Sequence, residues 1–579
     1  MNAAERVVET LAALDTEFVF GYPGGRVIEV FEAVARREAS DTPRLVRPRD
    51  EREASVMAEA VGRISGVPAV LAGQGPWIGS LGAVGQMEAR LGSTPMVVLT
   101  EASERGDYST VAPYQQARGD YGGLSLPKIL DGVTKEHWFP RTASETVRSV
   151  QLAYKHATAG RSGPCAVILD GSAVTETVPE APLPPLWDDR AQTRTWSARP
   201  TATDTVAAVE LLADADRPVV VAGNGVHAAR AHAELERVAE ALDAVVVTSY
   251  LGKSTIAETH DRAAGVIGAF GHEGANRVVS EADALLVAGC RLNPMDTNWG
   301  AAEFIRPDEQ AIVHADVDTR NAGWVYPADV GLIGDATESL DAVAEHAEAT
   351  GSDWTGVEDR HGRTHADATE RAAAASEDFR APVPPVDEAA APIAPQRVPE
   401  AVESVVDADT VVTADSGNNR FWLLHYLQTP AARTYFGSGG VGGMGWAPPA
   451  AVAAALLGHD AVCVAGDGGF AMTMTAVETA VQQDVAPAFV VMNDTSLGMV
   501  RQTGEVPGVE FHDTDFVACV EAMGARGRRV TDPTDLRPTV EDAHAADEPT
   551  VVDVRVDRSV EMSAELASSF YDSVGGLHE

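Results

Sequence analysis

The stretch AVCVAGDGGFAMTMTAVETAVQQDVAPAFVVMND, residues 461–494, decides how this chain is expected to fold. Val462 to Ala465 close an unbroken apolar run of the kind that marks a strand buried on both faces. Gly466-Asp467-Gly468-Gly469 make a turn, residues from about 471 to 483 form a helix, and Pro487 opens a second apolar strand ending at Asn493-Asp494. Strand, helix, strand is the parallel crossover unit. Both strands then end at the same edge, which brings Asp467 and Asp494 together across the whole helix, at the edge where such sheets bind ligands. Glycines there let backbone approach a bulky anion. Two carboxylates alone would repel that anion, and a hard cation such as Mg²⁺ resolves the conflict by bridging carboxylate and phosphate oxygens. The plainer alternative leaves Asp467 as a helix cap and Asn493-Asp494 as a turn.

The same rhythm extends in both directions. EFVFGY, PAVLAG and PMVVLTE read as strands between the helical GGRVIEVFEAVARRE, REASVMAEAVGRISG and GSLGAVGQMEARLG, so residues 1–180 form a first block. Residues 200–348 form a second, with RPVVVAG and DAVVVTS around a helix, and 399–560 a third. The proline- and charge-rich 178–200 and the Pro/Ala-rich 350–398 read as connectors. The expected fold class is α/β, with three consecutive parallel-sheet α/β domains.

Asp and Glu number 86 against 44 Lys and Arg, a formal net charge of −42, spread over the whole chain. That field repels nucleic acid. It also suggests a halophilic host, whose salt screens self-repulsion within a few ångström. No apolar stretch is long enough to span a membrane, and MNAAERVVETLAALDTEF lacks the basic and apolar regions of a signal peptide, so the cytoplasm is expected. Cys165, Cys290, Cys463 and Cys519 lie far apart without CxxC spacing and read as reduced thiols.

A glycine-flanked aspartate followed at this interval by an Asn pair is the thiamine diphosphate motif. Together with VFGYPGG (19–25), TKEHW (134–138), GRSGPCAVILDG (160–171), SYLGK (249–253), SGGVGGMGWAPPAA (438–451) and LGMVRQ (497–502), the chain resembles the acetolactate synthase family of thiamine diphosphate enzymes over almost all of 1–560. The resemblance implies specific roles. Glu51 in DEREASVMAEAVGRISG would hold the proton on the cofactor's remote pyrimidine nitrogen. Met444 would support its bent shape, and the backbones of Gly442 and Met444 would meet the pyrimidine. Asn418 and Asn419 would reach the diphosphate, with Gly468, Gly469, Leu497, Gly498 and Met499 lining the cofactor. Asp467, Asp494 and the Ser496 carbonyl would hold the Mg²⁺. Glu51 and Asp467 belong to different domains and, in that family, to different subunits. A homodimer or homotetramer is therefore implied, with room for a small regulatory subunit.

GNGVHA (223–228) fits G-x-G-x-x-A after a strand, but the next strand ends VVVTSY without the acidic residue of a dinucleotide site. The family uses this domain for FAD or leaves it empty; Arg291 and residues 268–276 resemble its FAD segments. Departures fall on the substrate side: Asp50 replaces His, Trp77 stands in a glycine-rich turn, Thr503 replaces Trp, and the segment after Gln115 is long. The expected activity is decarboxylation of a pyruvate-like 2-oxo acid with transfer of the activated aldehyde to an acceptor, as in branched-chain amino acid biosynthesis. The alternatives are a non-oxidative decarboxylase, a pyruvate oxidase-like paralogue, or a catalytically silent cofactor-binding subunit.

Overall fold

The computed structural model describes residues 1–37, 41–102, 115–120, 122–351, 365–376, 391–502 and 504–561. Among the described residues, eighteen strands build three six-stranded sheets, and every pairing within them is parallel. The first holds β1 (Phe18–Gly21), β2 (Arg44–Val46), β3 (Ala69–Gln74), β4 (Met96–Glu101), β5 (Glu136–Trp138) and β6 (Pro164–Leu169), ordered β2-β1-β3-β4-β6-β5. The second holds β7 (Pro218–Ala222), β8 (Val245–Thr248), β9 (Ala263–Val266), β10 (Ala284–Ala288), β11 (Ala311–Asp316) and β12 (Val330–Ile333), ordered β12-β11-β10-β7-β8-β9. The third holds β13 (Thr410–Ala414), β14 (Tyr435–Gly437), β15 (Asp460–Gly466), β16 (Ala488–Asn493), β17 (Arg526–Val530) and β18 (Thr550–Arg555), ordered β14-β13-β15-β16-β18-β17. Sheets one and three thus share one winding, reversing direction between their first and third strands. Sheet two reverses between β7 and β10, the Rossmann order.

The chain divides into two compact units: Met1–Trp196 with Ser438–Gly458 and Thr473–Val485, and Ser197–Gly437 with His459–Met472 and Ala486–Glu579. In the first, Val19, Val70, Ala72, Val97, Leu99 and Val167 fill one face of sheet one. The helix Glu51–Ser65 is set by Asp50, whose carboxylate accepts the Glu53 N–H at 2.9 Å, and ends at Gly66 in a left-handed conformation. It packs with the helices Ala83–Gly92 and Ala447–Leu456. The latter is alanine- and proline-rich and buried on nearly every side, as an all-apolar helix must be.

In the second unit, sheets two and three join through one core in which Phe270 stacks on Phe421 at 3.7 Å between ring centres. A fully buried Lys253–Glu258 pair at 2.6 Å reinforces it, with Glu258 also accepting from the backbone N–H and hydroxyl of Thr429. The four cysteines are free thiols.

Three details differ from the sequence reading. The motif helix starts at Asp467, not near 471, and divides into Asp467–Thr473 and Ala476–Gln483. Its start is fixed by Phe470, which meets Phe489 and Phe516 in the core, and its break by Thr475, whose hydroxyl donates to Glu53. The 350–398 connector contains a helix, His365–Ser376, whose Ala368, Ala372 and Ala375 are buried against sheet two; alanine at helical spacing was hidden by the low-complexity composition. The 178–200 connector carries a short helix, Asp189–Thr193, with Asp189 buried and paired to Arg6 at 2.9 Å.

Candidate active site

At the reversal point of sheet three, the turn after β13 supplies Gly417, with a φ of 118, and the helix Asn418–Tyr426. Asn419 is buried and its amide donates to the Asp415 carbonyl at 2.8 Å. β15 delivers Asp467 and β16 delivers Asn493-Asp494. The two halves of that dipeptide separate in role. The Asn493 amide turns inward to donate to Asp553 at 2.8 Å, whereas Asp494 is the residue that repels Asp467. Asp494 also accepts the Ser496 N–H at 3.0 Å, which shapes the loop into Leu497 and the short helix Gly498–Arg501. A Cβ at Gly498 would lie 2.6 Å from an Asp494 carboxylate oxygen and 3.3 Å from the Asn418 amide nitrogen. Asn418, at the start of the helix after β13, thus comes close to Asp494 and Gly498 in the loop after β16, with Met499 packing on the core behind them.

Burial, then the Asp494 charge, pushes the Asp467 carboxyl up to about 7, and burial raises Asp494 as well. Two confined carboxylates held in this state are half of a cation site. Among the described residues no cluster of three or more His, Cys, Asp or Glu could hold a metal. A divalent ion here thus needs non-carboxylate oxygens, as the Ser496 carbonyl and a diphosphate would supply. Gly468 and Gly469 lie in the first turn beside Asp467. The donor set, and a glycine at 498 that leaves the Asp494 carboxylate and the Asn418 amide unobstructed by a side chain, fit a metal-bound diphosphate.

The other predicted residues lie in the first unit. Glu51 begins its helix at the reversal point of sheet one, 8% exposed, and its carboxyl is raised chiefly by burial. A Cβ at Gly73, near the end of β3, would come 3.6 Å from it. Gly442 and Met444 sit in the glycine-rich loop after β14, where added Cβ atoms at Gly442 and Gly443 would meet nothing within 4 Å. Open backbone there suits a flat ring laid against it. Trp77 is 45% exposed in the short helix Gly75–Ile78. Thr503 lies outside the described residues.

Sequence reasoning left several buried carboxylates of this unit without a role, Glu59 and three more among them. Glu101 ends β4 against Gly25, where a Cβ would be 2.7 Å from its carboxylate oxygen. Glu88 grips the glycine-rich loop, as described below. Their signal was present: each interrupts an apolar strand or the inward face of a helix. Glu53 is the third, pushed to about 7 by burial first, despite hydrogen bonds from Thr475 and the Arg49 N–H. Because its folded pKa exceeds the unfolded one, ionisation opposes folding, and stability falls as pH rises from about 4.5 to 7. Glu53→Gln should flatten that slope and raise the unfolding midpoint at pH 8 by a few degrees, read by calorimetry.

In sheet two the glycines of GNGVHA serve the protein itself. A Cβ at Gly223 would lie 2.4 Å from the Gly289 carbonyl oxygen, and one at Gly225 2.6 Å from the Gly289 Cα. The pattern lets the turns after β7 and β10 touch, a packing use of the same residues that open a dinucleotide cradle elsewhere.

Comparison with known proteins places the chain in a family by its domains. Residues 1–122 match the N-terminal TPP binding domain of thiamine pyrophosphate enzymes, 205–343 their central domain and 415–554 their C-terminal TPP binding domain. A probable acetolactate synthase large subunit of Methanococcus aeolicus is 28% identical over 97% of this chain and 93% of its own length. The acetolactate synthase large subunit of Corynebacterium glutamicum is 29% identical over 96% of this chain and 86% of its length. Acetolactate synthase isozyme 3 large subunit of Escherichia coli K12 is 29% identical over 94% and 92%.

Proposed function

Because the chain belongs to the thiamine pyrophosphate enzyme family, we propose that it decarboxylates a pyruvate-like 2-oxo acid and transfers the activated aldehyde to an acceptor, as an acetolactate synthase does. The convergence of Asp467, Asp494, Asn418 and Gly498 at one sheet edge carries this reading. When bound, thiamine diphosphate would supply the nucleophilic carbon and the electron sink that decarboxylation of a 2-oxo acid needs. Asp467, Asp494 and the Ser496 carbonyl would hold Mg²⁺ against the diphosphate, with Asn418 and Asn419 orienting its oxygens. Gly442 and Met444 would hold the pyrimidine face. Glu51, whose carboxyl is raised above its usual value chiefly by burial, would keep the pyrimidine nitrogen protonated.

The proposed organisation is three domains over 1–180, 200–348 and 399–560. Two copies would associate so that Glu51 of one serves the carboxylate pair of the other, as a homodimer or a pair of dimers. The name large subunit borne by the relatives favours a small regulatory partner. The net charge of −42 favours a salt-rich cytoplasm. Among the described residues no helix is long and apolar enough to cross a membrane.

Product analysis with pyruvate, Mg²⁺ and thiamine diphosphate tests the proposal, and acetolactate is the expected product. Acetaldehyde alone would move the assignment to a simple decarboxylase, a reading favoured by Trp77 in the otherwise glycine-rich turn. Acetate would indicate an oxidase. Failure to release CO₂ from a panel of 2-oxo acids would leave a silent binding subunit. Flavin absorbance of the purified protein decides FAD.

A further inference from the structure

The loop that carries Gly442 and Met444 is held by a side chain that no motif marks. Glu88, on the helix Ala83–Gly92 and 2% exposed, accepts four successive backbone N–H groups. Gly439 and Gly440 donate to one carboxylate oxygen at 2.8 and 2.7 Å, and Val441 and Gly442 to the other at 2.8 and 3.3 Å. Successive N–H groups curled around a point form an anion-binding nest. Here the chain's own carboxylate fills it. Gly440 seats so closely that a Cβ would be 2.7 Å from the Glu88 carbonyl oxygen.

The grip continues beyond the loop. Arg63 donates to Glu88 at 2.9 Å and to Glu59 at 2.6 Å, and lies over the Trp446 ring at 5.3 Å. Glu59 in turn accepts the Trp446 indole N–H at 2.8 Å and the Thr94 hydroxyl at 2.9 Å. Met444 is thus flanked on both sides by residues fastened to one buried cluster. Burial pushes the Glu88 carboxyl up, but Arg63 and the loop N–H groups outweigh it and hold it below its usual value. Glu59 is the member raised by burial. The loop's partner is therefore an anion, and charge-assisted bonds of this kind are about twice as strong as neutral ones.

We infer that Glu88 is a positioning residue for the cofactor, fixing the Gly439–Met444 backbone in the shape that meets the pyrimidine ring. The inference rests on the cofactor reading above and concerns this chain's own residues. A neutral amide cannot accept four N–H groups, so Glu88→Gln frees part of the loop; Glu88→Asp keeps the charge with a shorter reach.

Two readouts test it on the full-length protein. Hydrogen exchange without cofactor should show protected amides at Gly439–Gly442 in the wild type, exchanging about tenfold faster in Glu88→Gln. Titration with thiamine diphosphate and Mg²⁺ should show a Kd about tenfold weaker, kcat at saturating cofactor within about threefold, and partial recovery in Glu88→Asp. Unchanged Kd in Glu88→Gln, or lost kcat at unchanged Kd, overturns the inference while leaving the cofactor reading intact. Should Glu88→Gln not fold, the wild type and Glu88→Asp decide: wild-type amides exchanging at free-loop rates, or wild-type affinity in Glu88→Asp, overturn it. A wild type that binds no thiamine diphosphate overturns the cofactor reading and this inference together.

Discussion

Glu51→Gln should lower turnover by roughly 100- to 1,000-fold, the range expected of the positioned proton donor that Glu51 is proposed to be. The amide keeps the size of the side chain and the helix start, where Asp50, not Glu51, caps the first turn. Cofactor affinity should therefore stay within a few-fold of wild type while CO₂ release collapses. What Gln cannot do is share an acidic proton with a ring nitrogen. Burial, the leading influence on Glu51, already favours its protonated form. Steady-state CO₂ release from pyruvate, with cofactor titration alongside, checks this. A variant that still turns over at a near-normal rate would remove Glu51 from the chemistry.

Asp467→Asn has two effects of opposite sign. If Asp467 and Asp494 hold Mg²⁺ as proposed, the ion would lose one of two carboxylates, and affinity for thiamine diphosphate with Mg²⁺ should fall at least about 100-fold, roughly 3 kcal/mol. Without them the same change should stabilise the protein. Asp467 is 5% exposed and raised to about 7 by burial and by Asp494. Its folded pKa lies above its unfolded value, so the carboxylate opposes folding increasingly from about pH 4 to pH 7 and fully above that. At about 1.4 kcal/mol per pKa unit the relief is at most about 4 kcal/mol. Thermal unfolding at pH 8 should show a higher midpoint for the apo variant and little or none of the upward shift that Mg²⁺ plus cofactor gives the wild type. A ligand-induced shift of wild-type size in the variant would show that the metal sits elsewhere.

The parallel α/β plan was legible because each strand is an unbroken apolar run and each helix repeats at its own period. Asp467 and Asp494 were legible for the same reason: parallel crossovers send strand ends to one edge, so sequence distance becomes spatial proximity by a fixed rule. Of Glu59, Arg63, Glu88 and Trp446, only Glu59 and Arg63 follow such a rule, four residues apart on one helix; nothing in the spacing links that pair to the other two. They meet through helix-on-helix packing, which depends on side-chain volumes along Ala83–Gly92 and Ala447–Leu456, not on periodicity. The start of the motif helix was misplaced because glycine suggests a turn. Phe470, drawn into the core beside Phe489 and Phe516, overrides that weak preference. The helix His365–Ser376 was concealed because alanine contributes helix propensity without the contrast of polarity that marks a buried face. Likewise the GNGVHA glycines gave a true signal of close backbone approach, but sequence could not say whether the approaching group was a nucleotide or Gly289.

Sheets one and three wind in the same strand order, so each has its own crest, the carboxyl edge at which the winding reverses. One crest carries Glu51 and the other Asp467 and Asp494, so what distinguishes the two is confined to a few loop positions on a common scaffold. Searches for distant kin of this chain should therefore weight those crest positions above the strands, whose valine-rich composition is common property of any such scaffold.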